Sequence, residues 1–191
     1  MNIEVKVPDG KSGPWKIETF SISKDAAELA NLRMAFKPGL GGRTIEAGTF
    51  KKLTRNGELV MSNAAGEISD HQYFIYKAKG SVLMNGLGLG VALSAILEKP
   101  EVEEVIIIEQ SEDVIKLVAP SFQNDSRVTI VHADAFEWKP PKGKRYDVVW
   151  HDIWNNICTD NLPEMHTLHR KYGKRCNWQG SWCREICEIY K

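Results

Sequence analysis

The stretch Ser81-Val82-Leu83-Met84-Asn85-Gly86-Leu87-Gly88-Leu89-Gly90-Val91 decides how this 191-residue chain is read. A short unbroken apolar run ends in glycines at alternate positions and leads into residues 91–99, where the spacing predicts a helix. Such runs suit strands buried on both faces, as in a parallel sheet covered by helices. The texture recurs at Val105-Ile106-Ile107-Ile108, Val128-Thr129-Ile130-Val131 and Val148-Val149-Trp150, with a second helix predicted over 112–118. The predicted fold is therefore α/β, a Rossmann-like, mostly parallel sheet with flanking helices over residues 79–191. Sheets of this kind bind ligands beyond the carboxyl ends of their strands. Functional residues are sought directly after each run.

The loop that begins at Asn85 lets the backbone turn sharply at Gly86, Gly88 and Gly90 and approach a ligand closely. A dinucleotide fingerprint places Gly or Ala where this chain has Val91, and the Walker spacing is absent. Both observations disfavour NAD and a pyrophosphate seated at the helix N-terminus. Glu109 ends the second run, where a carboxylate can accept hydrogen bonds from both hydroxyls of a ribose. The third run continues into Ala133-Asp134-Ala135-Phe136, offering Asp134 to an exocyclic amine, with Ala135 and Phe136 as apolar wall. Taken singly, each element also reads as a flexible loop or a solvated strand-end acid. Their succession on neighbouring strand tips makes an adenosine-shaped site.

Residues 1–78 read as a β-rich region with one helix and a hairpin. Ile3, Val5 and Val7 alternate with charged residues, as do Trp15, Ile17 and Thr19 after a Pro8-Asp9-Gly10 turn, which predicts two half-buried strands. Leu29, Leu32 and Phe36 share one helical face, with Ser23 as N-cap and Pro38-Gly39 as the stop. Residues 49–54 and 58–62 flank Arg55-Asn56-Gly57, a tight hairpin turn. In the tail, Leu162, Met165, Leu168 or His169, and Tyr172 have helical spacing behind an Asn161–Glu164 capping box, and Cys183, Ile186, Cys187 and Tyr190 repeat the pattern. No β run is found after Trp150. The sheet is thus expected to lack its last strands, and either a second copy, making a homodimer, or a large substrate covers that side.

Lys+Arg 25 cancel Asp+Glu 25, which argues against a nucleic-acid clamp built on overall charge. Arg170, Lys171, Lys174 and Arg175 with Trp178 and Trp182 leave two readings, a local nucleic-acid contact or a basic last turn offsetting a helix dipole. Cys158, Cys176, Cys183 and Cys187 all lie in the tail, too clustered for a disulfide framework. With His166 and His169 they include zinc-ligand types, but no C-x-x-C pair is present, and free buried thiols with no metal is the expectation. The start MNIEVKVPDG lacks a basic and apolar leader, and no stretch approaches 18 apolar residues, so a cytoplasmic protein without membrane contact is expected.

The segments VLMNGLGLG, VIIIEQ, VTIVHADAFEW and YDVVWHDIW, in this order, resemble the successive motifs of class I S-adenosylmethionine-dependent methyltransferases, particularly the spermidine-synthase-like branch. The resemblance spans about residues 45–155. That branch places a hairpin and a short acidic, His-containing segment before the nucleotide fold, similar here to residues 48–62 and Glu67-Ile68-Ser69-Asp70-His71-Gln72. The resemblance implies S-adenosylmethionine as cofactor, with Gly86, Gly88 and Gly90 beneath it, Glu109 on the ribose, Asp134 near the adenine and Asp152 facing the reacting centre. Aminopropyl transfer in that branch uses an Asp within the glycine motif, where this chain has Leu89, and a D-x-x-D that here reads Asp152-Ile153-Trp154-Asn155. A polyamine bound without paired carboxylates would be poorly compensated for its lost hydration. Methyl transfer to an unidentified acceptor therefore comes first, aminopropyl transfer second, and a noncatalytic nucleotide-binding or assembly module third.

Methyl transfer is an in-line displacement in which the protein mainly positions. Asp152 or His151 is placed to orient an acceptor or take its proton, with Asp70 and His71 approaching from the front segment. If the strand continues that far, its period of two lets only one of His151 and Asp152 face the pocket, and Asp152 is the choice. Trp154 serves either as an acceptor wall or as core.

Overall fold

The structure, a computed structural model, describes residues 3–35 and 45–189. Its parallel sheet is built from Gly80–Asn85, Val102–Glu109, Val128–His132, Tyr146–His151 and Cys176–Ser181. In chain order these are β5 to β9, since four strands precede them: β1 (Gly10–Ser12), β2 (Trp15–Ile22), β3 (Gly48–Arg55) and β4 (Glu58–Ser62). The helices are α1 (Lys24–Ala35), α2 (Ala65–Lys77), α3 (Val91–Leu97), α4 (Glu112–Val118), α5 (Leu162–Tyr172) and α6 (Arg184–Ile189). The sheet runs β7-β6-β5-β8-β9 with every pair parallel, so the α/β, Rossmann-like expectation holds. From β5 the crossovers step outward through β6 and β7, and from β8 to β9 on the other side. The order reverses between β5 and β8, and a crevice opens at their carboxyl ends.

Two edges of this sheet depart from expectation. β7 is only half-buried, because it is an outermost strand and not a central one. At the opposite edge β9 is a strand where none was expected. Its residues Cys176-Asn177-Trp178-Gln179-Gly180-Ser181 contain no apolar run. Side-chain partners hold it there: Gln179 Nε2 donates to the His169 carbonyl of α5 at 2.9 Å, and Trp178 stacks on Trp150 at 6.4 Å between centroids. The outer edge of β9 pairs with no other strand among the described residues.

The front sheet is antiparallel in the order β1-β2-β3-β4. Asn56 and Gly57, at φ 52° and 88°, make the predicted turn between β3 and β4. Ile3, Val5 and Val7 are buried, yet residues 3–9 belong to no strand. Their alternation reflects packing on the core and not a ladder. The hairpin partner of β2 is β1, and it turns at Gly13-Pro14 instead of Pro8-Asp9-Gly10. Asp9 is drawn away to Thr19 and Lys51, whose ammonium lies 2.6 Å from its carboxylate. Ser23 caps α1 through its Oγ, which accepts from the Ala26 N–H. Leu29 and Leu32 are exposed at 49% and 58%, so the predicted apolar face is not buried. The expected Phe36, Pro38-Gly39 and Tyr190 positions lie outside the described residues.

The helix α2 was not foreseen, and it determines what overhangs the crevice. Ile68, His71, Phe74 and Ile75 share its buried face. Phe74 stacks on Trp150 of β8 at 4.9 Å and 7° between planes, a contact worth on the order of 1 kcal/mol beyond its buried area. Lys99 Nζ donates to the carbonyls of Ile75 and Ala78 at 2.7 and 2.6 Å, satisfying the otherwise open end of α2. The front sheet docks on α4, where Ser12 Oγ donates to Asp113 Oδ1 at 2.6 Å. In the tail the predicted capping box does not form. Asn161 Nδ2 donates to the Asn156 carbonyl, and Glu164 accepts from Trp154 Nε1. Among the described residues no helix is long and apolar enough to cross a membrane.

Candidate active site at the strand tips

The tip of β5 folds back on itself through Gly86, Gly88 and Gly90 at φ 100°, 51° and 76°, a region that side chains with a Cβ rarely enter. A Cβ at Gly86 would collide with the Asp152 carbonyl, and one at Gly90 would sit 2.8 Å from the Phe122 ring. The glycines are thus required by close packing from behind as well as by any ligand in front. Gly86 and Gly88 line a cleft of about 860 Å³ that spans the tips of β5, β6, β7 and β8. Glu109, Asp134, Ala135, Phe136, Asp152, Asp70 and His71 line it too. Asn85, Gly90 and His151, expected at the site, do not.

Their displacement has physical reasons. Asn85 is wholly buried, and its Nδ2 lies 2.7 Å from His151 Nδ1. The Asp152 N–H donates to the Asn85 carbonyl at 2.8 Å, so the chain continues its alternation past β8 and turns Asp152 outward and His151 inward. His151 packs against the rings of His169 and Tyr172, and burial pushes its imidazole down to about 3. It is a neutral core histidine. Gly90 packs on Phe122 and precedes α3.

The nucleoside-sized end of the cleft is rigidly wired. Glu109 accepts from the Leu87 N–H at 2.9 Å and the Ser111 N–H at 2.7 Å, tying the glycine loop to the start of α4. Asp134 accepts from the Phe136 N–H at 2.6 Å and from Gln110 Nε2 at 3.1 Å. Lys171 Nζ, from α5, donates to the carbonyls of Ala135 and Phe136 at 2.8 Å each. This lysine, read in sequence as part of a basic tail, is therefore turned inward to set the loop after β7. Among the described residues no cluster of His, Cys, Asp and Glu gathers as a metal site.

At the other end Asp152 keeps 19% of its side chain exposed and lies 3.7 Å from His71 Nε2. Burial, reinforced by Glu67, Asp70 and Glu109, pushes its carboxyl up to about 7. Burial alone pushes His71 down to about 4, and its Nδ1 has no hydrogen-bond partner among the described residues. Near neutral pH an uncharged imidazole thus faces a carboxyl poised between its two forms. Glu67, Asp113 and Glu164 add to the acids already named, whereas Arg55 is the only Lys or Arg lining the cleft among the described residues. Such a wall attracts cations and repels phosphates.

The cleft fits an adenosine-type cofactor. A ribose and base can lie over a bare glycine backbone, between carboxylates spaced on adjacent tips and the apolar sides of Ile108 and Phe136. Sequence reading missed Met61, Glu67, Glu164, Trp15 and Trp182 as lining residues. The burial period of α2 was the signal available for Glu67. The others reach the cleft only through tertiary contacts.

No family model and no curated protein matches the sequence. Similar solved structures include a spermidine synthase and methyltransferases. The Thermotoga maritima spermidine synthase is 19% identical over 75% of this chain and 46% of its own, with a TM-score of 0.46. The N-methyltransferase NodS of Bradyrhizobium japonicum is 12% identical over 56% of this chain and 60% of its own, with a TM-score of 0.45. The CcbJ methyltransferase of Streptomyces caelestis is 19% identical over 58% of this chain and 45% of its own, also at 0.45. The chain thus spans less than two thirds of each. The likenesses carry no weight on the reaction, which is argued from this chain's own residues.

Proposed function

We propose that the chain is an S-adenosylmethionine-dependent methyltransferase whose acceptor is an organic amine cation. The observation that carries this reading is the sequence of side chains along the strand tips: Asp134 after β7, Glu109 on β6, bare glycines after β5 and Asp152 after β8. Glu109 is suited to hold two ribose hydroxyls while keeping its loop amides, since each carboxylate oxygen has more than one acceptor direction. Asp134 serves an exocyclic amine. S-adenosylmethionine, bound there, would supply a methyl group already activated on a sulfonium. The rest is positioning, proton transfer and exclusion of water.

An ammonium enters the acid-lined end more readily than a neutral or anionic acceptor does, with Asp70, Glu67 and Glu164 compensating its charge. Its nitrogen must shed a proton before its lone pair can attack. Asp152, held near 7, takes that proton when ionised, and the neutral His71 beside it supplies a polar edge that adds no charge. Trp154, fixed by its Nε1 hydrogen bond to Glu164 at 2.8 Å, and Trp182 offer flat faces to the alkylammonium.

Isothermal titration with S-adenosylmethionine and S-adenosylhomocysteine tests the reading. Heat with micromolar affinity is expected, and silence at millimolar ligand from folded protein sinks it. The acid wall also favours a second reading, aminopropyl transfer to a polyamine. The carboxylates that no linear D-x-x-D provides come instead from α2 and α5, as Glu67, Asp70 and Glu164. Chromatography of the nucleoside product separates the two: S-adenosylhomocysteine marks methyl transfer and methylthioadenosine marks aminopropyl transfer. Ligand binding without turnover on any amine would leave a noncatalytic module.

A further inference from the structure

Asn85, His151 and Ser181 end β5, β8 and β9, stand opposite one another in the sheet register, and are all buried. One residue further along, Gly86, Asp152 and Trp182 all line the cleft. The sheet thus closes on a polar rung directly behind residues that meet a ligand. Two of them hang on it by their backbones: the Asp152 N–H donates to the Asn85 carbonyl at 2.8 Å and the Trp182 N–H to the His151 carbonyl at 2.9 Å.

The side chains behind the cleft are joined with a fixed direction. An amide nitrogen only donates, so Asn85 Nδ2 at 2.7 Å makes His151 Nδ1 an acceptor and leaves the ring proton on Nε2, which faces Gln179 Oε1 at 3.4 Å. Arg184 likewise donates to His169 Nδ1 at 2.8 Å, so His169 Nε2 donates to Ser181 Oγ at 2.9 Å. Burial, with His169 and Lys171 nearby, keeps the His151 ring neutral and this direction intact. Apolar side chains would fill the layer without giving up hydration. What a hydrogen-bonded set adds is one settled arrangement. We infer, on the reading of Asp152 as proton acceptor proposed above, that His151 is a positioning residue for Asp152: it holds Asn85 in place, and Asn85 holds the carboxyl among Glu67, Asp70, Glu109 and His71. The position matters because a reacting group displaced by an ångström can lose about 10²-fold in rate.

Carbon NMR of protein isotopically labelled in its aspartates reads the Asp152 carboxyl directly, its signal identified by its absence from Asp152→Asn. In wild type it should titrate near 7. His151→Leu fills the space but offers Asn85 no acceptor, and its Asp152 carboxyl, released toward water, should titrate at about 5 or lower, nearer the ordinary aspartate value. His151→Asn presents an Oδ1 where Nδ1 stood and should return the titration to near 7. That rescue separates hydrogen bonding from packing, because asparagine fills the site less well than leucine. If thermal melting shows His151→Leu unfolded, Asn85→Ser, which withdraws the donor and leaves the ring, carries the comparison with the same expected fall. A folded His151→Leu or Asn85→Ser that still titrates near 7, a His151→Asn signal that falls as far as the leucine's, or a wild-type signal already in the ordinary range overturns the inference. Isothermal titration of the same samples with S-adenosylhomocysteine judges the function separately. Silence there removes the methyltransferase reading, while the carboxyl signal still decides whether His151 positions Asp152.

Discussion

The two ends of the cleft are built from the same residue type and behave in opposite ways. Around Glu109 and Asp134 the carboxylates are engaged by backbone amides at 2.6 to 2.9 Å, and their orientation is settled before any ligand arrives. Around Asp152 the carboxyl meets a buried imidazole at 3.7 Å and other acids, and its charge is left undecided near neutrality. Amide-bonded acids make a binding surface of fixed shape. Crowded, desolvated acids make a group that can exchange a proton at working pH. Sequence gives both ends as Asp and Glu, and only their surroundings divide the labour.

The sharpest way to break this contrast is at Asp152. Asp152→Asn should lower turnover by about 10²–10⁴-fold while leaving S-adenosylhomocysteine affinity nearly unchanged by titration. In wild type kcat/KM should rise with pH through about 7 as the carboxyl ionises, and that limb should vanish in the variant. A limb that persists assigns the proton elsewhere. Glu109→Gln should do the converse, weakening donor binding by about 10- to 100-fold through loss of a charged hydrogen-bond acceptor, with any loss of kcat smaller than the loss of affinity.

Stability against pH reports the same division. His71, His151 and His169 are all pushed down by burial, to about 4, 3 and 4. Their contribution is full above about 6.5 and is lost as pH falls toward those values, because the unfolded chain takes up protons the native state refuses. Asp152, pushed up, acts in reverse and favours the native state as pH drops below about 7. The histidines outnumber it, so denaturant titration should show stability falling by a few kcal/mol from pH 7 to pH 5. The smallest effect is expected at Lys171→Met. Freeing the Ala135 and Phe136 carbonyls should weaken nucleoside binding by about two- to fivefold, roughly the worth of one hydrogen bond, without altering the pH limb.

Where residues acted through their neighbours in sequence, the chain was readable. The glycine run, Glu109, Asp134 and the central strands follow from local period and spacing, and the alternation of β8 allowed only one of His151 and Asp152 to face the cleft. The Asn-Gly hairpin was legible because its two positive φ values depend on those residues alone. Elements held by distant partners were not. β9 has a polar sequence and is kept by Trp150 and by the end of α5. Ile3, Val5 and Val7 alternate like a strand but find a core and no ladder. Helix α2 hid inside a segment read for its acids, although Ile68, His71, Phe74 and Ile75 carry its period. Met61 and Glu164 reach the cleft from remote elements, which no spacing rule reveals.

Gly86 presses its bare Cα against the carbonyl of Asp152, while the Asp152 N–H reaches back to Asn85. The glycine floor of the cleft and the mount of Asp152 are therefore a single piece of backbone, with no slack between them. A nudge felt at one is delivered to the other, so that a methyl group grafted onto residue 86 would register simultaneously as a loosened ligand and a misaimed carboxyl.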